Sequence, residues 1–292
     1  MKTSHIKLVL SLCIAAGALP AARAAGHYVP GVEGIQAATV PPPGKYYLGY
    51  LVDYNIRSIS GVPGSNTGTI DALVNRFAWV TSKTFLGANY GVEAILPLQS
   101  NSFTFNGIGF NGTTRGAGDI YISPVLLGWH GPQWDAVFEL GEWFDTGSYS
   151  STNPASVGLG YKSTMLTAGA TAYPDSARLW SVSALARFEK NGKQEDTGIT
   201  PGNGLTVEWG IARQIGGGKQ LGLVGYYQGQ TTNDSGPGAS SLKPHRTGLG
   251  LQFDYPILTE GLFLKFAAYA DISAKEGAPK GNTLRMTIVK AF

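Results

Sequence analysis

Along residues 45–292, apolar and polar side chains alternate with a period of two and not 3.6. Successive side chains of a strand point to opposite faces, so this rhythm predicts two-faced strands. Twelve segments carry it: 45–57, 71–83, 87–99, 117–129, 133–145, 158–173, 177–190, 204–214, 219–231, 245–256, 260–273 and 282–292. Clusters of Gly, Asn, Ser, Pro and Asp, the turn-forming residues, separate them. In the first segment Tyr46, Leu48, Tyr50, Val52, Tyr54 and Ile56 share one side, and Tyr47, Gly49, Leu51, Asp53, Asn55 and Arg57 share the other. In the eighth, Leu205, Val207, Trp209 and Ile211 oppose Thr206, Glu208, Gly210 and Ala212. In the tenth, Thr247, Leu249, Leu251, Phe253 and Tyr255 oppose Arg246, Gly248, Gly250, Gln252 and Asp254. In the eleventh, Leu262, Leu264, Phe266, Ala268 and Ala270 oppose Phe263, Lys265, Ala267, Tyr269 and Asp271.

The connections carry a second pattern. "SISGVPGSNTGTI", "SNSFTFNGIGFNGTTRGA", "TGSYSSTNPASV", "NGKQEDTGITPGN", "TTNDSGPGASSLKP" and "AKEGAPKG" are long and polar, whereas "TFLG", "HGP", "PDS", "IGGG" and "PILTE" are tight. Long and tight alternate along the chain, as in a transmembrane barrel with long extracellular loops and short periplasmic turns. An all-β, antiparallel, up-and-down transmembrane β-barrel of about 12 strands over residues 45–292 is therefore expected. Alternation alone also fits a soluble sheet with one face in a core. Placing the apolar series against lipid puts the charges on the inner face or near strand ends, where they avoid the ~2–4 kcal/mol cost of a charge at mid-membrane.

The N-terminus favours export. Lys2 and Lys7 precede the apolar stretch "LVLSLCIAAGAL", and Ala22 and Ala24 supply small residues for a signal peptidase. Residues 1–24 read as a secretory signal peptide cleaved near Ala24. They are too short for a transmembrane anchor, which needs about 20 apolar residues. The formal charge of +3 resides in Lys2, Lys7 and Arg23, so the remainder is neutral. A neutral chain lacks the basic footprint of a nucleic-acid binder. The one cysteine, Cys13, leaves with the signal. Residues 25–44, "AGHYVPGVEGIQAATVPPPG", remain as an N-terminal periplasmic segment or a short lumen stopper. The aromatics Tyr46, Trp79, Trp129, Trp134, Tyr173, Trp180 and Tyr255 sit toward strand ends, where girdles form at membrane interfaces. The chain stops on Phe292, at the end of the outward series Leu284, Met286, Ile288, Lys290. A terminal aromatic of this kind resembles the signal read by the barrel assembly machinery of the bacterial outer membrane.

"GVEGIQAATVPPPGKYYLGYLVDYN" (31–55), "ANYGVEAILPL" (88–98), "GDIYISPVLLGW" (118–129) and "GYKSTMLTAGATAYPD" (160–175) sharpen the picture. These stretches resemble the outer-membrane family named for the meta-pathway of phenol degradation, in a style shared with fatty-acid and aromatic-hydrocarbon channels. The resemblance covers essentially everything after residue 24. It implies an outer-membrane channel for passive uptake of small hydrophobic or aromatic molecules, in contact with outer-membrane lipid and lipopolysaccharide, and carries no binding residues over.

The residues themselves nominate a lumen. Asp53, Arg57, Glu208, Arg246, Asp254, Lys265, Asp271 and Arg285 are the charges placed inward, and Tyr47, Tyr226, Phe263 and Tyr269 offer stacking surfaces for an aromatic solute. No cofactor or metal is implied. "GIGFNG" (107–112) fits a dinucleotide fingerprint by letter, but no helix follows it, so it reads as loop glycine. His130 lies in the turn "WHGP" and is expected in solvent. Asp135, Glu139 and Asp145 share a face of the fifth segment and read as lumen charges. His245, near the outer rim, is the residue a rim hydrolase would use. A non-transporting structural or adhesive barrel is the other alternative.

Overall fold

The computed structural model describes residues 26–257 and 260–292; the expected leader at 1–24 lies outside the described residues. Among the described residues thirteen strands follow one another: β1 (Gly44–Ile59), β2 (Asn66–Phe85), β3 (Ala88–Phe105), β4 (Phe110–Ala117), β5 (Ile120–His130), β6 (Trp134–Phe144), β7 (Ser163–Ala172), β8 (Trp180–Asn191), β9 (Gly204–Gln214), β10 (Gln220–Gln230), β11 (His245–Ile257), β12 (Leu262–Lys275) and β13 (Pro279–Ala291). Every pairing is antiparallel, and β13 pairs with β1 from Tyr46↔Ala291 to Ile59↔Pro279, which closes the sheet. The closed cylinder satisfies backbone groups without leaving an edge, the requirement for a β-protein in lipid. Phe292 donates its N–H to the Lys45 carbonyl (3.0 Å), so the last residue is tied into this seam.

The barrel is twelve-stranded with one extra piece. β5 pairs with the lower half of β3, and β4 pairs with its upper half, Leu98–Phe105. The stretch expected to be a long loop at 100–117 is thus a hairpin that continues β3 beyond the barrel. Its outward residues Ser100, Ser102, Thr113 and Arg115 bond one another across the strands, while Asn101, Phe103 and Phe105 are buried on the other face. The alternation persists there, but with polar residues on the outside. A second difference lies at "AKEGAPKG": β12 and β13 extend until only residues 276–278 connect them, with Glu276 (φ 54°) and Gly277 (φ 89°) in the left-handed region.

The outer surface carries Leu51, Leu221, Leu251, Phe266 and Leu284. Trp79, Trp134, Trp180 and Tyr255 are exposed toward the short-turn end, and Lys45, Arg213 and Lys219 sit over three of those rings at 5.2–5.9 Å. A ring that is apolar in body and polar at its tip, with a cation beside it, suits a membrane interface. Tyr173 does not join that girdle. It is buried, and its hydroxyl donates to Asp135 (2.5 Å).

In β1 the two faces are the reverse of the sequence reading. Tyr50, Val52, Tyr54 and Ile56 are buried inside, so Tyr47, Asp53 and Arg57 lie on the outer surface and are not lumen residues. Tyr47 donates to Asn75 Oδ1 (2.9 Å), Arg57 bonds Asn282, and Asp53 faces Asp71 across the β1–β2 register. The reason lies in the tyrosine tips. Tyr54 donates to Asp271 (2.8 Å), and Tyr50 accepts from Arg76 (3.3 Å), partners found only inside. The inner faces of β2 and β3 continue this apolar wall with Ile70, Ala72, Val74 and Ile95.

Candidate functional site

The lumen is threaded by residues 26–43. From Gly44 at the short-turn end the segment runs up the inside of the barrel and reaches the long-loop end at His27. Three wall glycines set its path. A Cβ on Gly128 would lie 2.6 Å from Val40 Cβ, one on Gly210 2.7 Å from the Gly34 carbonyl, and one on Gly222 3.0 Å from Ile35 Cδ1. A side chain at Gly128 or Gly210 would force the segment to shift, and one at Gly222 would crowd Ile35. Val40 and Ala38 pack with Val80, Leu126, Val137 and Leu185, and Ile35 packs with Val224, Ala267 and Tyr269.

Polar groups of the wall then take up the segment's backbone, which has no ladder of its own. Glu189 accepts the N–H groups of His27 (2.8 Å) and Tyr28 (3.0 Å). Glu208 accepts those of Gly31 (2.6 Å) and Glu33 (3.2 Å), and the Tyr28 hydroxyl as well. Arg285 donates to the carbonyls of Gly31 (2.7 Å) and Glu33 (3.0 Å), and Gln228 donates to that of Tyr28 (2.8 Å). Glu33 is held by Arg76 (2.6 Å) and Arg187 (3.2 Å). At the lower end Thr39 bonds Asp135 (3.1 Å). His130 pairs with the same Asp135 (3.0 Å) and is exposed, as expected from "WHGP".

His27 occupies a compact site near the long-loop end. Its ring stacks on Trp143 (5.4 Å, 8°), meets Tyr161 edge-on (4.9 Å), and lies between Asp119 (3.3 Å) and Glu189 (3.4 Å). Burial lowers its pKa, but hydrogen bonds and charge from both carboxylates prevail, and the net direction is upward from 6.5.

Beside the segment a cavity of about 110 Å³ remains open against β1–β3. Val52, Ile70, Ala72, Val74 and Ile95 form its wall, Val29, Pro30 and Val32 of the segment close it, and Arg76, Arg187 and Arg246 reach its margin.

Of the residues nominated from the sequence, Glu208, Tyr226, Arg246, Asp254, Tyr269, Asp271 and Arg285 are buried on the inner face. Lys265 pairs with Asp254 (3.6 Å), and Phe263 lies on the same inward series at the short-turn rim, 40 % exposed. Among them Glu208 and Arg285 hold the segment, and Tyr226 with Tyr269 (5.5 Å) forms an aromatic cluster over which it passes. The sequence reading placed Gln252 on the inner series without nominating it, and missed Arg76, Arg187, Glu93, Glu189 and Gln228. A signal was present: each stands at the inward parity of its strand, as in Leu185–Arg187–Glu189 of β8. Asp135 and Glu139 face inward, but Asp145 lies beyond the end of β6 and is exposed. His245 bonds the Lys243 carbonyl (3.0 Å) and packs near Tyr227.

Comparison with known proteins extends this geometry. The fold matches an outer membrane channel of Pseudomonas putida F1 with a TM-score of 0.78 at 14% identity, covering 91% of this chain and 100% of that one. It also matches the β domain of the Bordetella autotransporter BrkA (TM-score 0.51, 14% identity, 86% and 100% covered) and the translocator domain of the Neisseria meningitidis autotransporter NalP (0.52, 13%, 86% and 90%). At such identities the likeness is one of fold: a small outer-membrane-type barrel. No protein of curated function matches the sequence significantly. A family model spans residues 49–288, nearly the whole barrel, and the chain therefore belongs to the family described as "Putative MetA-pathway of phenol degradation".

Proposed function

We propose that the protein is an outer-membrane channel for passive passage of small hydrophobic or aromatic molecules, held closed by residues 26–43. The observation that carries this reading is the apolar wall of the cavity beside the segment. A barrel built for hydrophilic solutes has a polar interior. Here the inward residues of three adjacent strands include Val52, Ile70, Ala72, Val74 and Ile95, a patch of apolar side chains placed where water would otherwise stand. Burying them against Val29, Pro30 and Val32 stabilises the closed state, and the same surface accepts an apolar solute when the segment withdraws.

In this reading the long loops are extracellular, the short turns periplasmic, and the leader is removed near Ala24 after export. Lipid and lipopolysaccharide surround the outer face, and Phe292 serves the assembly machinery. Deleting residues 26–40 should raise single-channel conductance in planar bilayers and speed uptake of a neutral aromatic into liposomes. Unchanged conductance together with unchanged uptake would overturn the reading and leave a structural or adhesive barrel in its place.

A further inference from the structure

Three arginines border the lumen cavity, and their hydrogen-bonding positions differ. Arg76 bonds Glu33 (2.6 Å), Glu93 (2.6 and 2.9 Å) and the Tyr50 hydroxyl (3.3 Å). Arg187 meets Glu33 and Glu208, each at 3.2 Å, and the Tyr28 hydroxyl at 2.8 Å. Arg187 Nε is buried without a hydrogen bond, and Arg246 is less well provided still. Its Nε and Nη2 share one neutral acceptor, Gln228 Oε1 (3.2 and 3.1 Å). Its Nη1 is buried and makes no hydrogen bond to the described protein. The nearest carboxylate oxygen, Asp271 Oδ2, stands 3.8 Å away.

Asp271 has little left to give. It already accepts the hydroxyls of Tyr54 (2.8 Å) and Tyr226 (2.6 Å) and the N–H of Gly281 (2.8 Å). The same two tyrosine rings flank the Arg246 guanidinium, at 4.7 and 5.8 Å, and hold it in place. A buried guanidinium donor without an acceptor is costly unless something supplies one. The other ionised groups on the cavity margin are committed: Glu33 to Arg76 and Arg187, and Asp119 to His27 and to the N–H groups of Gly147 and Leu159.

We infer that the cavity takes a small aromatic carboxylate, its ring against Val52, Ile70, Ala72 and Val74 and its carboxylate on Arg246 Nη1. The inference rests on the channel reading and narrows its solute to an amphipathic anion. The position of Arg246 suits this role, because it is the second residue of β11 and lies just inside the long-loop rim. The cavity volume of about 110 Å³ matches one ring and not a long acyl chain.

Isothermal titration of the detergent-solubilised protein with benzoate and with benzyl alcohol, its neutral analogue, tests the inference. Benzoate should bind about ten-fold more tightly, the scale of one charge-assisted hydrogen bond. Arg246→Gln should bring the ratio to about one, and Arg246→Lys should keep most of it. Equal affinities in the unaltered protein, a ratio that survives Arg246→Gln, or binding of neither ligand would overturn the inference. The ligand ratio in the unaltered protein decides the matter even where Arg246→Gln fails to fold. The channel reading is judged separately, by the conductance of the barrel lacking residues 26–40.

Discussion

Individual residues show which chemical property reports the face of a strand. Hydrophobicity misplaces β1, whose inner series Tyr50, Val52, Tyr54 and Ile56 is the more apolar of the two. The polar tips decide, because a buried tyrosine hydroxyl needs a partner and the lumen supplies Arg76 and Asp271. That leaves Asp53 directly opposite Asp71 on the outer surface. Like charges facing across a strand pair destabilise it, by at most about 1 kcal/mol. Asp53→Asn should therefore raise the thermal midpoint of gel-mobility unfolding slightly, and a clear drop would show that the pair has a stabilising counter-ion. Inside, Glu208 is the residue on which the segment depends most. It accepts two segment N–H groups and the Tyr28 hydroxyl, and it pairs with Arg187. Charge-assisted hydrogen bonds contribute about 1.5–3 kcal/mol each. Glu208→Gln should loosen the segment, seen as more frequent openings in planar bilayers.

The segment 26–43 is where sequence and structure meet least well. It has neither strand nor helix periodicity, so its course is dictated by the wall that receives it. The wall glycines Gly128, Gly210 and Gly222 were legible only as residues of strands, and their role as a track depends on contacts distant in sequence. Gly128→Leu should push Val40 off the wall and raise conductance while leaving the β5 pairing intact by circular dichroism. His27 gives the segment a pH dependence. Its pKa is raised when docked, so protonation favours docking. That contribution is fully present below the undocked value, about 6.5, and is lost as pH rises through the higher docked value. Asp119 and Glu189 supply the charge, with Tyr161 and Trp143 packed on the ring. Openings should become more frequent as pH rises above neutrality, and His27→Gln should flatten the profile; a profile unchanged by that substitution would remove His27 from control of the segment.

At the scale of the molecule, the barrel was legible because it rests on two local signals, a period of two and an alternation of loop length. The β9 bounds agree to the residue, since "GLTVEWGIARQ" has clean alternation between turn clusters. The β3–β4 hairpin and the short 276–278 connection were not legible. Strand length beyond the membrane depends on pairing partners, and polar residues there look like loop. Closure of the sheet and occupancy of its lumen are separable in energy. The ladder from β1 to β13 involves no residue of 26–43, so a chain lacking 26–40 should still form a closed barrel. Its lumen, however, then exposes Arg76, Arg187 and Arg285 without Glu33 or the segment carbonyls. In a dry interior, breaking such pairs would cost about 3–5 kcal/mol each. Water entering the vacated lumen solvates the guanidiniums and repays most of that, and Arg76 and Arg187 keep Glu93 and Glu208. The lost term is mainly the apolar contact of Ile35, Ala38 and Val40 with the wall. The truncated barrel should keep its heat-modifiable gel mobility and melt lower by several degrees, on the scale of about 2–4 °C per kcal/mol. Failure to fold at all would instead make the segment part of the core that closes the barrel, and its withdrawal could not then open a channel.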